Sequence, residues 1–174
     1  MFWAKNLRTF KYLRPTLTSK SFMMASSTYA PVFPSDHTVD DRFKNYIAKF
    51  YATSDDRSKN EEWVDYFLPD AVVIMGDKSA QGTEEIRRLR EGMWELVESR
   101  KHKPEKVFPA TFGGAGAGGD DGVAAEYMLY GSLDLVMKNG ESSAVSWAGR
   151  AVLRDVDGKL KYKLYQVYMH KKST

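Results

Sequence analysis

The sequence contains no cysteine, and it has only three histidines among its 174 residues. Without cysteine the chain can form no disulfide, no thiolate metal site and no cysteine nucleophile. No apolar run approaches the roughly 18 residues that a membrane-spanning helix needs. The histidines are His37, His102 and His170, and no two have the i, i+4 spacing of a helical metal site. We therefore expect neither a metal site nor a membrane span.

Positive charge is concentrated at the start of the chain, although the net charge is only +3. Five of the 26 lysines and arginines precede the first acidic residue, Asp36, so the rest of the chain has 21 basic and 23 acidic residues. A domain of this balance lacks the basic surface that binds phosphate backbones. The composition argues against a nucleic-acid partner.

Residues 1–35 differ in composition from a single domain predicted over residues 36–174. Two interpretations of this leader stay open. Residues 1–23 have apolar side chains at helical spacing, bases between them and no acid, as a mitochondrial transit peptide does. Alternatively, translation begins at Met23 or Met24 and an ordinary flexible tail precedes a cytoplasmic protein. In either case we expect the leader to lie outside the fold.

Three helices are predicted before the main sheet. The first is capped by Thr38 and ends near Ser54-Asp55-Asp56. A short helix follows over residues 60–68, and then a compact apolar strand over residues 70–76. The third helix is predicted over residues 83–101, and Gly92 inside it suggests close packing against a neighbour. Pro104 and Pro109 then confine the next extended segment to a sheet edge.

The sheet is predicted mainly over residues 122–170, as three long strands. Asn139-Gly140 and Asp157-Gly158 between them favour two tight turns. Gly131 and Gly149 lie in mid-strand, where a bulge or bend would curve the sheet. The last strand is apolar on both faces after Leu164, which indicates burial on both sides and a second subunit. The element order predicts an α+β roll whose helices cover a curved antiparallel sheet.

His102 is the candidate catalytic residue. It is predicted at the junction of a helix and a strand, beside Arg100, at the mouth of a concave sheet. A histidine there can transfer protons near neutral pH. The alternative is a surface histidine that interacts with the end of the helix. Asp55 and Asp56 end the first helix, and of the two we assign Asp56 to orient His102.

A glycine-rich segment, GGAGAGGDDG, contains a literal G-x-G-x-x-G pattern at Gly114, Gly116 and Gly119. That pattern binds phosphate only where it opens a helix. Here Asp120 and Asp121 follow, and then a predicted strand. We interpret the segment as a loop, and no cofactor is expected.

An apolar pocket with polar tips is predicted from aromatic side chains that would face the inside of the curved sheet. Ordinary core packing is the alternative for each of them. Arg150 joins the pocket only if a bulge at Gly149 turns it inward; without the bulge it lies on the outer face. The predicted substrate-binding residues are Tyr51, Trp94, Tyr127, Trp147, Arg150 and Tyr165.

Four segments, in order, resemble those of the NTF2-like superfamily in its SnoaL-like branch, and more narrowly those of small fungal proteins of that branch. They are FKNYIAKFYATSDD, WVDYFLPDAVVIMG, GTEEIRRLREGMW and KLYQVY. The resemblance covers residues 38–170. It implies a cone-shaped α+β barrel, often dimeric through its sheet, that encloses a pocket for a small apolar molecule.

Enzymes of that superfamily include polyketide cyclases, scytalone dehydratase, ketosteroid isomerase and epoxide hydrolases. His102 matches the place of one histidine of the dehydratase. The acid that the dehydratase has in its first helix falls near Thr53 of this sequence, so the sequence departs from the family pattern at that position. The resemblance implies a cofactor-free cyclase, dehydratase or isomerase acting on a polyketide- or terpenoid-like substrate. His102 would be the general base or acid and Asp56 its orienter, with Tyr127 or Tyr165 donating a hydrogen bond to an oxyanion. The alternative is a non-catalytic domain that binds a ligand or a protein. A homodimer is expected in either case.

Overall fold

The computed structural model describes residues 28–36, 38–110 and 123–170. Its six-stranded sheet has the order β2-β1-β6-β5-β4-β3, and among these six described strands only β1 and β6 pair in parallel. The helices pack on one face of the sheet, which confirms the predicted α+β architecture. The elements are α1 (Asp41–Asp55), α2 (Asn60–Asp65), β1 (Phe67–Met75), β2 (Lys78–Gln81), α3 (Thr83–Gly92), β3 (Val97–Ala110), β4 (Val123–Met137), β5 (Ser142–Val156) and β6 (Lys159–His170).

Helix α1 places an acidic end beside the sheet. Its cap is Asp40 rather than the predicted Thr38, because a carboxylate oxygen of Asp40 accepts the backbone N–H of Arg42 at 2.7 Å. One face of the helix is buried against the sheet through Phe43, Ile47, Phe50 and Tyr51. The helix ends at Asp55, as the sequence predicted, and Asp56 is already extended.

Helix α3 is shorter than predicted, and this changes the position of His102. The helix ends at Gly92, and β3 begins at Val97. Residues 97–110 pair with β4 along their length, and these ladder bonds override the helical pattern of the sequence. His102 therefore lies within β3, opposite Leu133, and not at a helix–strand junction. The inference about Gly92 is also wrong, since a Cβ there would meet nothing within 4 Å.

The β4-β5-β6 meander turns at both predicted positions, but at Asn139-Gly140 only the glycine has a positive φ angle, so the predicted two-residue geometry is confirmed at Asp157-Gly158 alone. Asp157 and Gly158 both have positive φ angles, 50° and 80°, as a type I′ turn requires. A register shift between Pro104 and Lys106 of β3 lies opposite Gly131, where a Cβ would be 2.2 Å from the carbonyl oxygen of Lys103. Only glycine allows this close approach of two backbones. At Gly149 the pairing continues without a shift, so the alternative with a bulge there is wrong.

The predicted domain boundary at residue 35 comes too late. The backbone N–H of Val32 donates to the carbonyl oxygen of Glu105 at 2.8 Å, and the N–H of Val107 donates to Val32 at 3.0 Å. The ring of Phe33 packs on that of Phe43, with 5.9 Å between the centroids. This short bridge satisfies backbone groups of an edge strand that water or another chain would otherwise occupy. The leader up to residue 27 lies outside the described residues.

The end of β6 is not buried on both faces within one chain. Tyr165 is 4% exposed in the core, whereas Tyr168 is 49% and Met169 47% exposed. The homodimer stays a prediction, and Tyr168 is the residue of this stretch that a partner would cover. No helix in the described part of the chain is long and apolar enough to cross a membrane.

Candidate active site

A cavity of about 430 Å³ lies between the helices and the concave face of the sheet. Its polar wall contains Ser54, Arg100 and His102. The rest is largely apolar and includes Leu89, Met93, Leu133, Trp147, Tyr165 and Val167. A volume of this size suits a small organic molecule. A larger groove of about 740 Å³, lined in part by Lys49, Asp65 and Lys161, lies at a different part of the surface and does not include His102.

The cavity wall holds a paired acid and base, Asp55 and His102. One oxygen of Asp55 accepts a hydrogen bond from Nδ1 of His102, and the other accepts the backbone N–H of the same histidine at 2.7 Å. The carboxylate thus fixes both the strand and the ring. The side chains of Asp55 and His102 are 5% and 14% exposed. The end of α1 supplies the acid, and the middle of β3 supplies the base.

The hydrogen bond to Asp55 selects the tautomer of His102. A carboxylate only accepts, so Nδ1 carries the proton and Nε2 keeps a lone pair. In the described ranges no group forms a hydrogen bond with Nε2. Burial lowers the pKa of His102 below 6.5, and the charge of Arg100 lowers it further, while Asp55 opposes both. The imidazole is therefore neutral at pH 7 and can accept a proton.

The assignment of Asp56 as the partner of His102 is wrong. One oxygen of Asp56 accepts the backbone N–H and the hydroxyl of Ser58, at 2.9 and 2.7 Å. These bonds lower the pKa of Asp56, which acts as a turn residue. Because α1 ends at Asp55, the chain changes direction at Asp56 and carries this carboxylate away from the cavity.

Of the predicted aromatic residues, Trp147 and Tyr165 line the cavity. Tyr51 is fully buried against His102, with 5.2 Å between the ring centroids, and its hydroxyl lies 3.2 Å from that of Tyr165. Burial raises the pKa of Tyr165 to about 12, so its hydroxyl remains protonated. The structure thus brings four of the predicted residues together: Tyr51, His102, Trp147 and Tyr165.

Three predicted substrate-binding residues lie elsewhere. Tyr127 is buried away from the cavity, where its hydroxyl is 2.7 Å from that of Tyr162. Arg150 points outward and donates to Glu126 at 2.8 Å, because the strand has no bulge at Gly149. Trp94 is 3% exposed and lies behind the cavity wall.

Sequence reasoning missed Arg90, which is fully buried. Its guanidinium donates to the carbonyl oxygens of Thr53, Ser54 and Asp56, at 3.3, 2.8 and 2.9 Å, and to the side chain of Asn60 at 3.0 Å. The carbonyls that end a helix have no partner within that helix. Helix α1 has no basic residue in its last turn. That absence indicates, from the sequence, that a donor from another element must bind these carbonyl groups. Arg90 fixes the segment that carries Asp55.

The described residues contain no metal-binding cluster, but they contain two unpaired indole donors. Within residues 28–36, 38–110 and 123–170, no three histidine or acidic side chains are arranged as a metal site. The Nε1 donors of Trp94 and Trp147 are buried without a partner in the same ranges. The glycine-rich loop and His37 lie outside the described residues, and the side chain of His170 is not described.

Solved structures share this architecture at low sequence identity. A candidate scytalone dehydratase from Novosphingobium aromaticivorans is 14% identical, with a TM-score of 0.60 over 75% of this chain and 83% of its own. Hexachlorocyclohexane dehydrochlorinase LinA, type 2, is 11% identical, with a TM-score of 0.63 over 75% and 84%. A candidate calcium/calmodulin-dependent protein kinase II association domain from Xanthomonas campestris is 17% identical, with a TM-score of 0.60 over 84% and 98%.

No protein-family model matches the chain, and no curated protein does. The structural similarities confirm the NTF2-like cone fold that the sequence resemblance implied. At such identities they show the fold alone. The function depends on the residues of the cavity.

Proposed function

We propose that the protein is a small-molecule enzyme that transfers a proton, with His102 as the base and Asp55 as the group that orients it. One observation carries this proposal: the imidazole lies in the cavity wall with Nδ1 bonded to a buried carboxylate and with Nε2 bonded to no residue that the structure describes. A base needs this arrangement, because its lone pair must face the substrate while its other nitrogen is held.

In the proposed step, Nε2 of His102 removes a proton from an acidic C–H or O–H of the substrate. The electron pair of the broken bond either stays on the substrate, as in an enolate, or forms a new double bond while a leaving group departs with its own bonding pair. Asp55 stabilises the resulting imidazolium, and the protonated hydroxyl of Tyr165 is available to donate to developing negative charge. The proton then returns to the product or to the leaving group, which restores neutral His102.

The reaction class follows from this step. Cyclisation, dehydration and isomerisation can all begin with proton removal next to a carbonyl or a leaving group. The names dehydratase and dehydrochlorinase, carried by two structural neighbours, both denote eliminations. The apolar walls of the cavity favour an apolar ring system, as a polyketide- or terpenoid-like substrate would have.

A non-catalytic binding domain is the second candidate. It is favoured by the neighbour named as a kinase association domain, because that name denotes assembly on the same fold. The two functions predict different roles for Nε2 of His102. A base uses Nε2 to remove a proton from the substrate, whereas a binding domain uses Nε2 only for a hydrogen bond to its ligand.

Proton removal can be measured without the natural substrate. We expect the wild-type protein in deuterium oxide to accelerate exchange of carbon-bound hydrogen in at least one member of a panel of aromatic 1,3-diketones and cyclic enones. The side-chain amide of Asp55→Asn cannot hold His102 in the same tautomer. In this variant the exchange of the compound should be roughly 10²–10⁴-fold slower. Mass spectrometry gives the rates. Exchange at the uncatalysed rate with every compound would favour the binding domain.

A further inference from the structure

Two arginines with buried side chains contact the ring of Trp94, and they differ in how fully their N–H groups are bonded. The centroid of the indole ring is 5.0 Å from Cζ of Arg90 and 4.2 Å from Cζ of Arg100. Arg90 directs its donors to four oxygen acceptors at the end of α1 and the start of α2. It is a structural residue, and it does not line the cavity.

Arg100 lines the cavity with its N–H groups incompletely bonded. A guanidinium has five N–H donors. Two of those of Arg100 go to one acceptor, the carbonyl oxygen of Ser54, and a third meets only the sulfur of Met93 at 3.5 Å. The remaining two have no acceptor among the residues that the structure describes. Ser54 also accepts from Arg90, so three donors share one carbonyl oxygen, which has two lone pairs.

The charge of Arg100 is also incompletely balanced. Its side chain is only 8% exposed, and the nearest carboxylate oxygen, of Asp55, is 3.8 Å from Nε and already bonded to His102. Burial lowers the pKa of Arg100 to about 10, yet the group remains charged at neutral pH. Asp77, Lys78 and Glu95 also line the cavity, but they are exposed, and water and salt screen their charges.

We propose that Arg100 is an anion-binding residue, and that the ligand of this cavity is a small apolar molecule with a carboxylate or another ionised oxygen. The inference rests on the proposed function in one respect, namely that this cavity is the substrate site. An ionised oxygen would fill the vacant donors and neutralise the buried charge, and a guanidinium binds a carboxylate through two parallel bonds.

The position of Arg100 on β3 limits the shape of such a ligand. Arg100 and His102 are two residues apart on one strand and both line the cavity, so their Cα atoms are about 7 Å apart. One small molecule can therefore place its ionised oxygen at Arg100 and its acidic hydrogen at His102. This spacing selects a substrate that has an anionic group a few bonds from its reacting carbon.

The test uses two probes of the same shape, 2-naphthoate and its neutral amide, 2-naphthamide. Isothermal titration calorimetry near neutral pH should show the carboxylate binding to wild-type protein about 10- to 100-fold more tightly than the amide, the usual effect of a charge-assisted hydrogen bond. In Arg100→Gln the preference should disappear. Arg100→Lys keeps the positive charge but lacks the paired N–H groups of a guanidinium, so a reduced preference for the carboxylate should remain.

Two control variants separate this proposal from the proposed function. Arg150→Gln removes a surface arginine of the same sheet and should keep the preference, because Arg150 lies outside the cavity. His102→Asn removes the base and should also keep it. Equal affinities for the two probes in wild-type protein, a preference that persists in Arg100→Gln, or no binding of either probe at millimolar concentration would overturn the proposal. A carboxylate preference without any hydrogen exchange would instead contradict only the catalytic step.

Discussion

Replacement of His102 by asparagine is expected to lower turnover by roughly 10²–10⁴-fold, the usual contribution of a positioned acid–base group. The side-chain amide of asparagine occupies the place of Nδ1, so it can still donate to Asp55, but it has no titrating nitrogen at the place of Nε2. We therefore expect the free energy of unfolding to stay within about 1 kcal/mol of the wild-type value. Hydrogen-exchange rates and urea denaturation measure the two effects on the same preparations.

The choice of asparagine matters because His102 is buried and bonded to Asp55. His102→Ala would remove the ring donor to the buried carboxylate of Asp55 and cost about 1–3 kcal/mol, so a loss of activity there would mix two causes. Lys103→Asn is the matched control, since Lys103 is the next residue of β3 and its side chain is 51% exposed. Turnover that survives in His102→Asn would refute the role of His102 as the base.

Replacement of Arg90 by methionine is expected to lower the free energy of unfolding by about 3–5 kcal/mol, because several buried oxygen acceptors lose a donor at a cost of about 1–3 kcal/mol each. Methionine fills much of the space but donates no hydrogen bond. The carbonyl oxygens of Thr53 and Asp56 would then lose their Arg90 donors inside the protein. Urea denaturation, followed by tryptophan fluorescence, gives the change directly.

Arg88→Met is the control for this change. Arg88 is on the same helix, two residues earlier, and is exposed, so its replacement should change the free energy of unfolding by no more than about 0.5 kcal/mol. Because α1 ends at Asp55, Arg90→Met should also loosen the acid–base pair. A stability within about 1 kcal/mol of wild type for Arg90→Met would show that water can replace the guanidinium at these carbonyl groups.

Local sequence signals predicted the parts of the fold that depend on local chemistry. The Asp157-Gly158 turn was predictable because its positive φ angles need those residue types. The end of α1 at Asp55 was predictable from a run of residues that favour turns. The end of α3 was not, because residues 93–101 have helical periodicity, and those from Val97 onward become a strand only through pairing with β4.

The site was partly predictable for the same reason. The resemblance identified His102, but the choice between Asp55 and Asp56 depends on the rotation of the last turn of α1, which no single-residue preference determines. The partners of Arg90 and Arg100 could not be assigned from the sequence, because they are mainly backbone carbonyl oxygens more than 30 positions away in the chain. A carbonyl group leaves no signature in a sequence.

The central claim is that His102 is a neutral base with its proton on Nδ1, and ¹⁵N NMR of labelled imidazole tests it most directly. The resonances of His102 are those absent from the spectrum of His102→Asn. We predict a protonated Nδ1, an unprotonated Nε2 and a pKa below 6.5, because burial and Arg100 disfavour the imidazolium. Between that pKa and 6.5 the unfolded chain binds more protons. The contribution of His102 to stability is therefore complete above about pH 6.5 and is lost as the pH falls through the folded pKa. An imidazolium at pH 7, or a proton on Nε2 in the neutral ring, would contradict the claim.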